Sequence, residues 1–180
     1  MQELEQKARD GHTALCYADE SHVCTWGYVP CGWQLPGERV CVPSRRTARL
    51  NISGMTDRKN RYGGFTSAES ITPDNVVGFL DAFPFNLPEN TFAVLDSASV
   101  HRNHKIRELR PARRKRGLCL FYPPPYSPHP NIVETLRRIL KGKWNRPRDC
   151  VNTDTLFYSA NRALETVGKE LFINYSHYAA

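Results

Sequence analysis

Two short apolar runs, each closed by an aspartate, constrain this chain more than any other feature. Ala14-Leu15-Cys16-Tyr17-Ala18 stops at Asp19, and Phe92-Ala93-Val94-Leu95 stops at Asp96. Continuous apolar stretches of this length mark strands covered on both faces of a sheet. An ionised carboxylate at the edge of such a core is costly unless it is paired or coordinates a cation. If the two strand ends are neighbours, the acids repel each other and a divalent metal removes the repulsion; magnesium suits a few carboxylates with water and phosphate oxygens completing its shell. Glu20 cannot join the same cluster from a regular strand, because adjacent side chains point to opposite faces. Taken singly, an aspartate at a strand end reads better as the start of a loop or the cap of a turn.

The remaining pattern builds a sheet around these runs. Val23 to Val29 is rich in aromatic and β-branched residues and meets a turn signal at Pro30-Cys31-Gly32, which suggests a hairpin back through Trp33. Arg49 to Met55 alternates polar and apolar residues, and the polar loop Asp57–Asn60 leads to a further strand at Tyr62–Thr66. Thr72-Pro73-Asp74 then opens a helix with a capping hydroxyl, a first-turn proline and an acid. Val76, Val77, Leu80 and Phe83 share one of its faces. Leu118 to Tyr122 is a third apolar strand. Helical spacing returns at Ile132, Leu136, Ile139 and Leu140, and again at Leu156, Phe157, Ala160, Leu164 and Val167. The order predicts an α/β fold: a mixed sheet with antiparallel hairpin strands first, parallel strands after, and helices on its flanks.

A length of 180 residues suits one domain, taken here as residues 1–180, and a net charge of +7 makes nucleic acid the first candidate partner. The long uncharged run Gly117 to Val133 holds five prolines, which excludes it as a membrane span, and the polar start carries no secretory signal. Six cysteines at 16, 24, 31, 41, 119 and 150 form no closely spaced pair. They read as reduced thiols rather than a zinc site or disulfide framework, which points to the cytoplasm.

Longer motifs then become legible. Val94-Leu95-Asp96-Ser97-Ala98-Ser99-Val100-His101 resembles the "hydrophobic–D-N-A-x-x-H" block of the mariner-like transposases of bacterial insertion sequences. Pro124-Pro125-Tyr126-Ser127-Pro128-His129-Pro130-Asn131-Ile132-Val133-Glu134 is similar to their "P-P-Y-S-P-x-L-N-P-I-E" block, and Tyr17 to Ser21 with Gly32, Trp33 and Gly37 to their first block. The order matches, and 37 residues separate Asp96 from Glu134, in keeping with the family's short spacing. The resemblance implies a ribonuclease-H-like catalytic domain of the DDE superfamily. Asp19, Asp96 and Glu134 would form a triad holding two magnesium or manganese ions, and DNA, as transposon ends and target, would be cut and joined. It further implies action at the bacterial nucleoid, homodimerisation on DNA, and a separate DNA-binding subunit, since no helix-turn-helix region precedes the first strand. The departures are Ser97 for the usual asparagine, Pro130 and Ile132 for leucine and proline, and Arg137 where tryptophan is frequent. They leave a second expectation open, a decayed, basic DNA-binding remnant.

Other residues carry two readings each. Asn131 and Glu134 have capping-box spacing. Arg102 to Arg116 holds eight Lys or Arg residues against Glu108 alone. Arg102, Lys105, Arg113, Arg114 and Lys115 there either grip phosphates or form a solvated helix face. Arg137, Arg138 and Lys141, on the helix of Glu134, either approach the scissile strand or offset the glutamate's charge. His101 is a reacting group or a loop-stabilising one. Tyr122 to Tyr126 forms a platform for an unpaired base or merely shapes a loop.

Overall fold

The computed structural model describes residues 1–25, 35–37, 48–83, 90–95, 103–123 and 132–175. Its strands are β1 (Ala14–Cys24), β2 (Arg49–Asp57), β3 (Tyr62–Ser67), β4 (Thr91–Leu95) and β5 (Leu118–Phe121). They form one sheet in the order β3-β2-β1-β4-β5. β1 and β2 pair antiparallel, as do β2 and β3, whereas β1–β4 and β4–β5 are parallel. The helices are α1 (Gln2–Arg9), α2 (Pro73–Ala82), α3 (His104–Glu108), α4 (Arg110–Lys115), α5 (Ile132–Ile139) and α6 (Thr153–Thr166). The mixed, helix-flanked sheet is the architecture expected from the sequence.

β1 departs from expectation in one respect. The apolar run does not end at Asp19; the strand continues to Cys24 and takes in Val23. The reason is that β1 has two neighbours of different length. Parallel pairing with β4 stops at Ala18↔Leu95, while antiparallel pairing with β2 continues from Cys16↔Asp57 to Cys24↔Arg49. Asp19 therefore lies one residue beyond the last described pair of the parallel ladder and within the strand. The proposed turn at Pro30-Cys31-Gly32 lies outside the described residues.

Side-chain alternation along β1 decides which helix each residue meets. Leu15 and Tyr17 face Ile132, Val133, Leu136 and Ile139 of α5, together with Val94, Ile173 and Tyr175. Cys16 and Ala18 face the opposite layer, Val76 and Leu80 of α2 with Ile106, Leu95 and Leu118. Farther along, Val23, Leu50 and Ile52 pack on Leu156, Ala160 and Leu164 of α6. Thr72 caps α2 as its sequence predicts: its hydroxyl accepts the Asn75 N–H at 3.3 Å, and Asn75 returns a side-chain oxygen to the Thr72 N–H at 2.9 Å.

Two local features lock the frame. Asn60, in the left-handed region at φ 63°, donates Nδ2 to the Ile173 carbonyl at 3.0 Å and accepts the Ile173 N–H at 2.7 Å. The turn between β2 and β3 is thereby pinned to the C-terminal segment. Gly54, opposite Asp19 in the ladder, lies beneath the Tyr62 ring; a β-carbon there would stand 2.6 Å from the phenolic oxygen. The polar helix α1 carried no apolar periodicity in the sequence. It docks through Glu5, whose carboxylate accepts the Tyr17 hydroxyl at 3.0 Å. Cys16, Cys24, Cys119 and Cys150 form no disulfide among the described residues; Cys31 and Cys41 lie outside them. Among the described residues no helix is long and apolar enough to cross a membrane.

Candidate active site

Asp19 has the same parity on β1 as Leu15 and Tyr17, so its carboxylate points to the layer of α5. There α5 presents its own acid. Ile132, Val133, Leu136 and Ile139 turn into the core, which leaves Glu134 on the rim, its side chain 64% exposed. Arg137 follows one turn later. A single nitrogen of its guanidinium, Nη1, lies 2.7 Å from Asp19 Oδ2 and 3.0 Å from Glu134 Oε2. The two carboxylate oxygens are therefore separated by no more than the sum of those distances, under about 6 Å. The other Asp19 oxygen accepts the Glu20 backbone N–H at 2.8 Å. Asp19 is 12% exposed and Arg137 27%, so the pair sits at the lip of the core and not within it.

The surroundings are positive. Burial holds the Lys141 ammonium below its ordinary pKa, and the Arg137 guanidinium adds to this, against Cys24 and Glu134 acting in the opposite sense. Burial also lowers the His22 imidazole, followed by the charges of Lys141, Arg49 and Arg137. For both groups burial is the larger cause and the nearby cations add to it. Beneath the pair lies a cavity of about 10 Å³ lined by Asp19, Gly54, Tyr62, Leu136 and Arg137. The Tyr62 hydroxyl and Arg137 Nε are buried with no hydrogen-bond partner among the described residues.

Asp19 and Glu134 are thus brought to one place. Asp96 lies outside the described residues, as do Arg102, His101 and Asn131, the capping partner considered for Glu134. Leu95, which precedes Asp96 in the chain, is the β4 residue paired with Ala18, which precedes Asp19. Among the described residues no three His, Cys, Asp or Glu side chains converge as a metal site.

The basic segment requires a correction. Arg113 was expected on a DNA-contacting surface, yet its side chain is 2% exposed. Nε donates to Asp81 at 3.0 Å, and the remaining guanidinium nitrogens approach the carbonyls of Ile106 and Val77 at 3.4 and 3.5 Å. A guanidinium enclosed in this way ties α4 to α2 and cannot reach a phosphate. Arg113 stands seven residues beyond buried Ile106, helical spacing that the surrounding charge run hides. Lys105 binds Asp74 with its ammonium 2.6 Å from the nearer carboxylate oxygen. Arg114, Lys115 and Arg138 are exposed and Lys141 is half-buried. The Arg110 guanidinium lies 4.7 Å from the centre of the Tyr122 ring, whereas Pro124 to Tyr126, the rest of the segment read as a base platform or a loop-shaping run, lie outside the described residues. Arg137 is the residue whose role the sequence understated: its i,i+3 spacing from Glu134 was visible, its reach to Asp19 was not.

Comparison with known structures agrees with the sheet and its helices. The HTLV-2 integrase catalytic core domain in complex with magnesium (trimeric form) superposes with a TM-score of 0.56 at 14% identity, covering 91% of this chain and 90% of that one. A chain of the simian T-cell lymphotropic virus intasome, in complex with PP2A regulatory subunit B56 gamma, gives 0.57 at 12%, covering 89% of this chain. The Mos1 strand transfer complex gives 0.50 at 12%, covering 93%. The present chain spans 50% of the intasome chain and 56% of the Mos1 chain. No curated protein matches the sequence. The model of the DDE superfamily endonucleases matches residues 14–156, which takes in the whole run from β1 to the start of α6 with both acids described above, and the chain belongs to that family.

Proposed function

We propose that this chain is the catalytic domain of a transposase that cleaves DNA strands and joins them to a target during movement of an insertion sequence. Asp19, Asp96 and Glu134 would be the acids that hold two magnesium or manganese ions. The observation that carries the reading is the meeting of Asp19 and Glu134, remote in sequence, on one cationic nitrogen. Two carboxylates facing each other across that distance form a locus that demands positive charge, and their oxygens are the hard donors that such ions take. An HTLV-2 integrase core of the same fold is described in complex with magnesium, which supports the choice of metal. Bound at such a locus, two divalent ions supply charge to the attacking and leaving oxygens of an in-line displacement at phosphorus.

The chain's own residues account for position. The Glu20 N–H fixes one Asp19 oxygen and leaves the other facing α5. The inward packing of Val133 and Leu136 sets the height of Glu134 above the sheet. Exposed Arg114, Lys115 and Arg138, with half-buried Lys141, are basic side chains that would contact phosphates. Positioning and charge, without a protein nucleophile, suffice for attack by water and then by the freed 3′-hydroxyl. The DNA strands would be transposon ends and target, read by a separate DNA-binding subunit, with the domain working as a dimer in a bacterial cytoplasm.

Supercoiled plasmid incubated with the chain and Mn²⁺ tests the proposal. Nicking should appear, should vanish with EDTA, and should be lost in Asp19→Asn, Asp96→Asn and Glu134→Gln. Cleavage that persisted in those variants would place the chemistry elsewhere. Salt-sensitive DNA binding with neither nicking nor Mn²⁺ binding would identify the inactive remnant instead.

A further inference from the structure

We propose that Arg137 is a built-in counter-cation that competes with divalent metal for the oxygens of Asp19 and Glu134, so that the chain restrains its own metal site. The inference rests on reading those acids as metal ligands, and it adds an occupant for the site in the absence of metal. Arg137 Nη1 stands 2.7 and 3.0 Å from one oxygen of each acid. A magnesium ion takes such oxygens at about 2.0–2.1 Å. The nitrogen already engages one oxygen of each acid, so an ion that takes the same two oxygens competes with this contact.

The geometry also shows why the restraint is releasable. Among the described residues the guanidinium is held through Nη1. Nε, at its other end, is buried with no partner among them, and so is the Tyr62 hydroxyl that lines the same small cavity. That cavity, about 10 Å³, is at the lower limit for a single water. The conformer therefore gains two charge-assisted contacts and leaves a donor unmet, a balance that a stronger cation can tip. Glu134 is 64% exposed and Arg137 27%, so the swing requires side-chain rotation and no rearrangement of α5.

The experiment is Mn²⁺ titration of the full chain by calorimetry, with electron paramagnetic resonance counting free ion, for wild type, Arg137→Gln, Arg137→Met and Arg137→Lys. Two partly exposed contacts of this kind correspond to about five- to thirty-fold in affinity. Arg137→Gln and Arg137→Met should bind Mn²⁺ tighter by about that factor, and Arg137→Lys, which keeps the charge, should stay within about three-fold of wild type. Circular dichroism verifies that each variant is folded, and either neutral variant suffices. Wild-type binding that is unchanged or weakened in both neutral variants overturns the competition while leaving the metal site standing. Absence of Mn²⁺ binding in wild type and all variants overturns the metal reading, and this inference with it.

Discussion

The buried ion pair between Arg113 and Asp81 makes an asymmetric prediction that distinguishes a structural arginine from a DNA-binding one. The two ends of the pair differ: the Arg113 side chain is 2% exposed and that of Asp81 41%. In Asp81→Asn the guanidinium stays enclosed, with two carbonyls at 3.4 and 3.5 Å as its remaining acceptors. Stranding one charge of a buried pair costs about 3–5 kcal/mol, and because Asp81 is half wet the lower end, about 3 kcal/mol, applies. In Arg113→Met the stranded partner is Asp81, which rehydrates, while the methionine fills most of the stem's volume; the cost is about 1 kcal/mol. The double variant should cost little more than Arg113→Met alone, giving a coupling of about 2 kcal/mol or more. Urea unfolding followed by tryptophan fluorescence reads all four corners of the cycle, and the Asp81→Asn midpoint temperature should fall by about 6–12 °C. The salt dependence of DNA binding should be unaltered in Arg113→Met. A phosphate contact would instead lower the log–log slope by about 0.9. Equal costs for the two single variants, or a shallower slope in Arg113→Met, would refute the enclosed-guanidinium account.

Two further outcomes follow from single residues. Asn60→Ala removes both hydrogen bonds to Ile173 and puts alanine, which tolerates the left-handed region less well than asparagine, at φ 63°, so unfolding should become easier by about 3 kcal/mol or more; Asn60→Gly, which adopts that φ freely, should recover about 1 kcal/mol, and equal denaturant midpoints would count against the clamp. Burial, reinforced by the Asp57 charge and opposed by Arg61, raises the Cys16 thiol from 9.0 to about 11. The folded chain therefore holds this proton more tightly than the unfolded one, and stability that is complete below pH 9 should be lost between pH 9 and 11. The loss is at most about 3 kcal/mol and should be absent from the profile of Cys16→Ala; coincident profiles for the two proteins would refute it.

What the sequence disclosed and what it withheld divide along a physical line. Apolar runs, a capping threonine and helical spacing are local, and β1, β4, β5, α2, α5 and α6 stand where those signals put them. The extent of β1 is not local: it depends on β2 being a longer partner than β4, which no property of residues 19–24 encodes. Arg113 shows the same limit from the other side. Eight basic residues in a short stretch argue for solvent, and only the fold supplies the enclosure and the Asp81 carboxylate that reverse the reading for one of them. α1 was missed because its docking, the Glu5 carboxylate on the Tyr17 hydroxyl and near Arg58 with Ala8 against the core, depends on partners remote in sequence.

The site itself lies between these cases. That Asp19 faces the layer of Leu15 and Tyr17 follows from parity alone, and that Glu134 escapes the core follows from the inward spacing of Val133 and Leu136. Both could be drawn from the sequence once β1 and α5 were placed. Their convergence could not, because it is set by the height at which α5 crosses the sheet, a product of packing against Val94, Ile173 and Tyr175. Arg137 shows why that distinction matters for chemistry. An arginine three residues after a glutamate is an ordinary helical pair; the same arginine with an aspartate from a neighbouring strand on the same nitrogen becomes the cation of a two-carboxylate site. The change in role comes from β1 alone, so a substitution at Gly54, which lies opposite Asp19 beneath the Tyr62 ring, acts on the same site through the ring it displaces.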